Sequence, residues 1–270
     1  RNTGMNIGTE YDVDYGYDNL GRFSSVASGS DTFTYNYLPS SILISSISYP
    51  NNISVTRSYE PNRDLITQIS NTYNSTVVSN YDYTNDALDR RTAMQKSGTV
   101  FTLSDTISYG YDDKSQIISA NSANDSLYNY GFSFDPIGNR LSSMSHETGS
   151  PVTRNYTSNI LNQYTAIDSP AQSPTYNDDG CMLNDGTWTF TWNAENRIVS
   201  AVNGTTTVEF KYDYQGRRVE KKVTENTSVT KQEYFVYDGY KQIEKLDALN
   251  TSVIVQKFVW SGETMLSMAD

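Results

Sequence analysis

Along the chain, aromatic residues recur two positions apart with polar or small residues around them. Tyr15 and Tyr17, Tyr35 and Tyr37, Tyr81 and Tyr83, and Tyr109 and Tyr111 follow this spacing. So do Phe132 and Phe134, Phe190 and Trp192, Phe210 and Tyr212, and Phe235 and Tyr237. A period of two places such residues on one face of a strand, and aromatic residues suit a pleated, half-buried surface. No stretch sustains a 3.6 period, and Ala and Leu are too scarce for helical repeats. The pattern predicts an all-β chain.

The residues after the second aromatic read as a turn. Asp or Asn leads it at Asp18, Asp86, Asp135, Asn159, Asn177, Asn193 and Asp213. A short side chain there can accept from the backbone two residues on. Pro61 and Pro136 stand next in their copies, where a type I turn wants φ near −65°. Three residues after the lead come Gly21, Asp89, Gly138, Asn162, Gly180, Asn196 and Gly216, all residue types that tolerate φ > 0. This order predicts a type I turn closed by a G1 bulge, joining two strands as a hairpin. Arg22, Arg90, Arg197 and Arg217 follow directly, and Arg140 ends the copy that starts at Asp135. A ladder of Asp–Arg bonds, within a turn or to the next, would fix the register of neighbours.

The phrase recurs at anchor positions Tyr17, Tyr37, Tyr59, Asn85, Tyr111, Phe134, Ser158, Tyr176, Trp192, Tyr212, Tyr237 and Trp260. Their mean spacing of about 22 residues falls in the repeat-protein range. Leucine-rich repeats need a leucine ladder that is absent, and propeller blades need about twice the length. The sequence therefore predicts one array of about eleven hairpins over residues 1–270 with no linker.

At these residues the sequence resembles the YD-repeat, or Rhs, family. Asp135-Pro-Ile-Gly-Asn-Arg140, Leu161-Asn-Gln-Tyr164, Trp192-Asn-Ala-Glu-Asn-Arg197 and Gly216-Arg-Arg-Val-Glu-Lys221 carry the likeness. The resemblance covers essentially the whole chain. It implies a wide sheet of consecutive hairpins coiled into a spiral, which closes into a hollow shell in long members. Family members include shells of bacterial toxin complexes, competition effectors, wall-associated proteins and the large domain of teneurins. The self-cleaving aspartate core of the toxin members finds no match here, which puts self-cleavage and toxin activity outside this chain. The phrase is worn at Tyr37-Leu-Pro-Ser-Ser and Tyr111-Asp-Asp-Lys-Ser, where the Gly is missing.

Charge and composition narrow the functions. A net charge of −11 opposes binding to nucleic acid or to anionic membranes. The local basic run Arg217, Arg218, Lys221 and Lys222 reads as a solvated strand, with Arg217, Val219 and Lys221 on one face and Arg218, Glu220 and Lys222 on the other. One Cys excludes an internal disulfide, and no apolar run is long enough for a helical membrane span. The 22 Tyr supply apolar area to a sheet face while their hydroxyls seek partners. The chain opens on Arg1 rather than Met, as a piece of a longer polypeptide would.

Catalytic chemistry has little to stand on. The single His146 lies in a polar loop with no evident orienting group, and Cys181 has no cationic neighbour in sequence to activate it. Two such residues cannot make a structural zinc site. Asp112-Asp113 and Asp178-Asp179-Gly180 lack the spaced oxygens of a calcium loop. The sequence thus predicts a non-enzyme with no cofactor and no catalytic or metal residues. The family resemblance implies a structural role, as part of a β-shell that encloses or presents a toxin or effector domain, in an extracellular or cell-surface protein with the rest of its own polypeptide as partner. The alternatives are an aromatic face that binds glycans and self-association through edge strands.

Overall fold

The computed structural model describes residues 2–7, 11–146, 149–261 and 264–269. These residues form 25 strands and one short 3-10 turn, Ser126–Tyr128. Strands adjacent in sequence are adjacent in space, fifteen of them between Gly4 and Ile167 and ten between Thr175 and Ala269. The chain divides into two compact units, Arg1–Arg154 and Asn155–Asp270. The expected all-β array of hairpins is therefore the fold.

In the first unit the period-two pattern becomes a one-sided core. Along the strand Asp31–Tyr37, Phe33 and Tyr35 are buried while Thr32, Thr34 and Asn36 face water. Val13, Val26, Ile47, Ile107 and Ala120 join the same kind of face. Phe23 meets Tyr17 and Tyr35 edge-on, with ring centroids 5.4 and 5.9 Å apart, a favoured aromatic geometry. Among the described residues of the second unit, Ala201, Phe235, Ile243 and Val259 are buried.

Every one of the twelve anchors carries a shift in strand register. Gly16 faces Ser25 but Tyr17 faces Phe23, so Ser24 is an extra residue in its strand. The same step occurs at Tyr37, Tyr59, Asn85, Tyr111, Phe134 and Ser158. It occurs again at Tyr176, Trp192, Tyr212, Tyr237 and Trp260. A bulge of this kind bends the strand and increases its twist. It also corrects the reading of the basic run. Lys211 faces Glu220 and Tyr212 faces Arg218, so Val219 is the extra residue and simple alternation fails there. Glu220 is buried rather than solvated, held by Lys211 Nζ at 2.7 Å and Gln232 Nε2 at 3.0 Å.

At the opposite ends the hairpins close with two-residue turns. Asn74-Ser75 and Asn226-Thr227 have positive φ at both central positions, the type I′ pattern. Gly29 and Gly204 take positive φ at the first central position only, the type II′ pattern, which Gly239 shows in the turn after the anchor Tyr237. One further glycine lies outside every copy of the phrase. Gly98 has φ +118, and a Cβ there would stand 2.5 Å from Val78 O and 2.8 Å from Ser79 Cα. The chain is pinned at that point by Thr99 N and Val100 N, which donate to Val77 O and Val78 O.

The accessible surface is 15997 Å² for 30.3 kDa. A compact monomer of that mass would expose about 12,000 Å². The protein thus keeps far more surface in water than a closed globular core would.

Candidate functional site, the repeat turns

The lead residue of each turn is a hydrogen-bond hub. In the turn after Tyr212, Gly216 N donates to Asp213 O and Asp213 N to Arg217 O, which closes the turn. Asp213 Oδ1 accepts from Gln215 N and Arg217 N, and Oδ2 accepts from Arg217 Nε at 2.7 Å. Asp18 does the same with Leu20 and Arg22, and Asp86 with Leu88 and Arg90. Where Asn leads, the backbone arm is kept, as Asn193 accepts from Glu195 N and Arg197 N, and at Asn159 the side-chain arm runs from Nδ2 to Gln163 Oε1. Asn159 and Asn177 likewise accept from Gln163 N and Cys181 N.

Gly21, Asp89, Gly138, Asn162, Gly180, Asn196 and Gly216 all have positive φ. In the worn copy after Tyr111 the position is not lost but filled by Ser115, at φ 62. A serine Cβ in that region costs about 1–2 kcal/mol. Ser115→Gly is therefore expected to stabilise the first unit by about 1 kcal/mol, since glycine's larger unfolded-state freedom offsets part of the relief. Urea denaturation of the two proteins measures it, and an unchanged or lower midpoint would count against the assignment.

The anchors reach backward to the preceding hairpin. Tyr37 Oη donates to Phe23 O at 2.6 Å, and Phe23 is the residue paired with the previous anchor, Tyr17. The same bond joins Tyr59 to Ile44 O, Tyr111 to Arg91 O and Tyr176 to Tyr164 O. Tyr212 reaches Ile198 O and Tyr237 reaches Arg218 O, both at 2.8 Å. Trp192 and Trp260 make the contact with indole Nε1, to Met182 O and Gln242 O. Even Asn85 turns its amide toward Ile66 O, at 3.5 Å. Burial pushes the phenol pKa of Tyr37, Tyr176, Tyr212 and Tyr237 up, which keeps each hydroxyl a donor. Sequence reasoning treated the anchor as a packing residue and missed this latch. The signal was there: the ten aromatic anchors are seven Tyr, two Trp and one Phe, Phe134, whereas packing alone would not favour rings with a donor.

Arg22, Arg90 and Arg217 bond Asp within their own turns, Arg197 pairs with Glu195, and the arginines reach forward to the next turn by other means. Arg22 lies over the Tyr37 ring at 4.4 Å and donates to Ser41 O. Arg217 lies over Tyr237 at 5.2 Å and donates to Gly239 O. Arg90 and Arg197 lie over Tyr111 and Tyr212. Arg63 and Lys114 make the forward bond from turns without the phrase, to Asp86 O and Pro136 O. Arg140 is not in this position. Asn139 occupies it and bonds Asp135 through N and Nδ2, while Arg140 pairs with Phe134 in the strand and covers the Phe132 ring. The copy at Asp135 carries one residue more between Gly and Arg, which shifts Arg140 by one. Tyr15 and Tyr83 sit two residues before their anchors, against Phe23 and under Arg91.

The turn aspartates make stability depend on acid. At Asp18, Asp86, Asp135 and Asp213 burial pushes the carboxyl up, but the bonds from the backbone and from residue +4 together outweigh it and the net shift is downward. At Asp112 the backbone N–H of Gln116 leads the downward shift. A depressed folded pKa means the unfolded chain takes up protons first, near pH 4. The contribution is complete above that value and is lost as pH falls from about 4 through the lower folded values. The urea midpoint is expected to be level from about pH 5 to 7 and to drop steadily below about pH 4. A midpoint level down to pH 2 would contradict the geometry.

The remaining candidates for chemistry stay apart. His146 is a half-buried loop residue, and Glu147 and Thr148 beside it lie outside the described residues. Cys181 is half-buried with a free thiol, and its backbone N–H closes the turn of Asn177. Asp178 and Asp179 are exposed at that turn. Among the described residues, no group of three or more His, Cys, Asp or Glu could hold a metal, and no helix is long and apolar enough to cross a membrane, which says nothing of β-barrels.

Known proteins share this architecture. The family model described as Teneurin YD-shell matches residues 50–244. The tRNA nuclease WapA of Bacillus subtilis (strain 168) is 35% identical over 111 residues, which is 40% of this chain and 4% of that protein. The tRNA3(Ser)-specific nuclease WapA of Bacillus spizizenii is 33% identical over the same length, with the same coverage. Among solved structures, the crystal structure of TcdB2-TccC3-TEV covers 94% of this chain with TM-score 0.64 at 16% identity. The Tc holotoxin pore of Photorhabdus luminescens, with the TccC3-D651A mutation, covers 93% with TM-score 0.58 at 14% identity. The chain spans 16% and 17% of those two solved chains.

Proposed function

We propose that this chain, which belongs to the Teneurin YD-shell family, is a non-catalytic wall segment of a secreted or cell-surface bacterial protein, part of a β-shell that encloses or presents a toxin or effector domain of the same polypeptide. One observation carries the reading. The recurring polar side chains of the phrase are engaged within the sheet: Asp213 closes its own turn, Tyr212 latches backward and Arg217 reaches forward. Such side chains are committed to holding a sheet and have no capacity left for a substrate. The large exposed surface supports the same reading, because a wall segment leaves area for the rest of a shell to cover.

The WapA relatives are named for tRNA cleavage, and this chain spans 4% of them. A net charge of −11 and a lone half-buried His146 are poor equipment for holding and cutting RNA. Purified residues 1–270 are expected to leave tRNA intact, and cleavage by them would overturn the non-catalytic assignment. In the parent polypeptide, limited proteolysis is expected to spare an effector domain until denaturant opens the repeats. An effector domain cut as fast as it is in isolation would overturn the enclosing role.

A further inference from the structure

We propose that the groove between the turns at Asn159 and Asn177 is a binding site for an arginine side chain of a partner protein. At four other turns a cation of the chain itself bridges one turn to the next. Arg22 donates to Ser41 O, Arg63 to Asp86 O at 2.7 Å, Lys114 to Pro136 O and Arg217 to Gly239 O. Arg22 and Arg217 also lie over the ring of the following anchor.

At the Asn159 turn the bridging position is Gln163. Its Oε1 accepts from Asn159 Nδ2 at 2.9 Å, which holds the side chain back in its own turn. Its Nε2 comes only as far as Gly180, 3.4 Å from where a Cβ would stand. In the matching place Arg197 drives its guanidinium onto Gly216, with Nη2 2.5 Å from the equivalent point. The shorter glutamine leaves the rest of the space open, a groove of about 690 Å³ walled by Leu161, Pro174, Tyr176 and Asp179.

Three features fit a guanidinium there. The Tyr176 ring is the face over which Arg22 and Arg217 lie in sister units, and a cation is attracted to such a face. Asp178 and Asp179 stand exposed at the rim and supply the opposite charge. Leu161, 70% exposed, offers an apolar wall to the aliphatic stem. The site also coincides with the break in the ladder between Ile167 and Thr175, where Tyr176 Oη to Tyr164 O at 3.2 Å bridges the gap. With two carboxylates at the rim, the groove does not make a metal cage, and among the described residues no group of three or more His, Cys, Asp or Glu could hold a metal.

The test is an NMR titration of the isotope-labelled chain with acetyl-arginine amide, against acetyl-citrulline amide, which has the same shape without the charge. Saturable shifts are expected at residues 159–163 and 175–180, with the citrulline probe about ten-fold weaker. Gln163→Arg fills the space from within and is expected to raise the thermal midpoint and abolish the shifts. Asp179→Asn keeps the turn and is expected to weaken the arginine probe alone. Shifts scattered over the surface, equal response to both probes, or undiminished binding in both variants would overturn the proposal.

Discussion

Alanine at position 98 is expected to destabilise the first unit by about 3 kcal/mol, combining a left-handed backbone penalty of about 1–2 kcal/mol with an overpacking cost of similar size. The added methyl would stand 2.5 Å from Val78 O and 2.8 Å from Ser79 Cα, and both belong to the backbone of a paired strand. A flexible side chain could move aside, but this ladder cannot without loss of the bonds from Thr99 N and Val100 N. Gly29→Ala is the control, because Gly29 also has positive φ yet has nothing within 4 Å. It should lose only the backbone penalty of about 1 kcal/mol. Urea denaturation followed by tyrosine fluorescence separates the two variants, and equal losses would refute the close approach.

The second large effect concerns the anchor. Tyr212→Phe removes one hydrogen bond, to Ile198 O, and is expected to cost about 1 kcal/mol. Tyr212→Ala also removes the ring beneath Arg197 and is expected to cost about 3 kcal/mol. The split between the two variants states how much of the anchor is latch and how much is packing. The phenylalanine variant should also raise hydrogen exchange in the strands Ile198–Asn203 and Thr206–Tyr212, on either side of the lost bond. If Tyr212→Phe matches the parent in both measurements, the latch contributes nothing.

Much of this fold is legible in residues whose backbone demands are local. Asp or Asn at a turn lead and Gly or Asn three residues later can satisfy themselves within five residues, and so the seven positive-φ positions follow from the sequence. The strands follow for the same reason, since Phe33 and Tyr35 alternate with Thr and Asn. The register step at each anchor is different. Its extra residue is Ser24, Thr92, Leu141 or Val219, which share no chemistry, so no residue type announces it. Only the pairing across the ladder reveals it. The miss at Val219 came from this source, because alternation was carried straight through a bulge.

The role of the turn arginine was half legible. Arg22, Arg90 and Arg217 do bond the Asp of their own turns, which spacing suggests. That they reach the next unit through backbone carbonyls and tyrosine rings depends on how hairpins sit side by side. Nothing in a single copy of the phrase contains that geometry. Arg140 shows the limit from the other side, since the same residue type one position later becomes a strand residue over Phe132. Gly98 lies outside the phrase altogether, and a close approach by a neighbouring strand leaves no local mark in the sequence.

The central claim is that the repeated side chains couple one unit to the next. A double-mutant cycle on Arg217 and Tyr237 tests it most directly, with Arg217→Met, Tyr237→Leu and the double variant compared by urea denaturation. Arg217 lies over the Tyr237 ring at 5.2 Å, and the two residues belong to successive units. The expected coupling energy is about 0.5–1 kcal/mol, favourable, because either change alone already breaks the contact. Strictly additive losses would show that the arginine serves its own turn only, and would contradict the account of the phrase as the joint between neighbours.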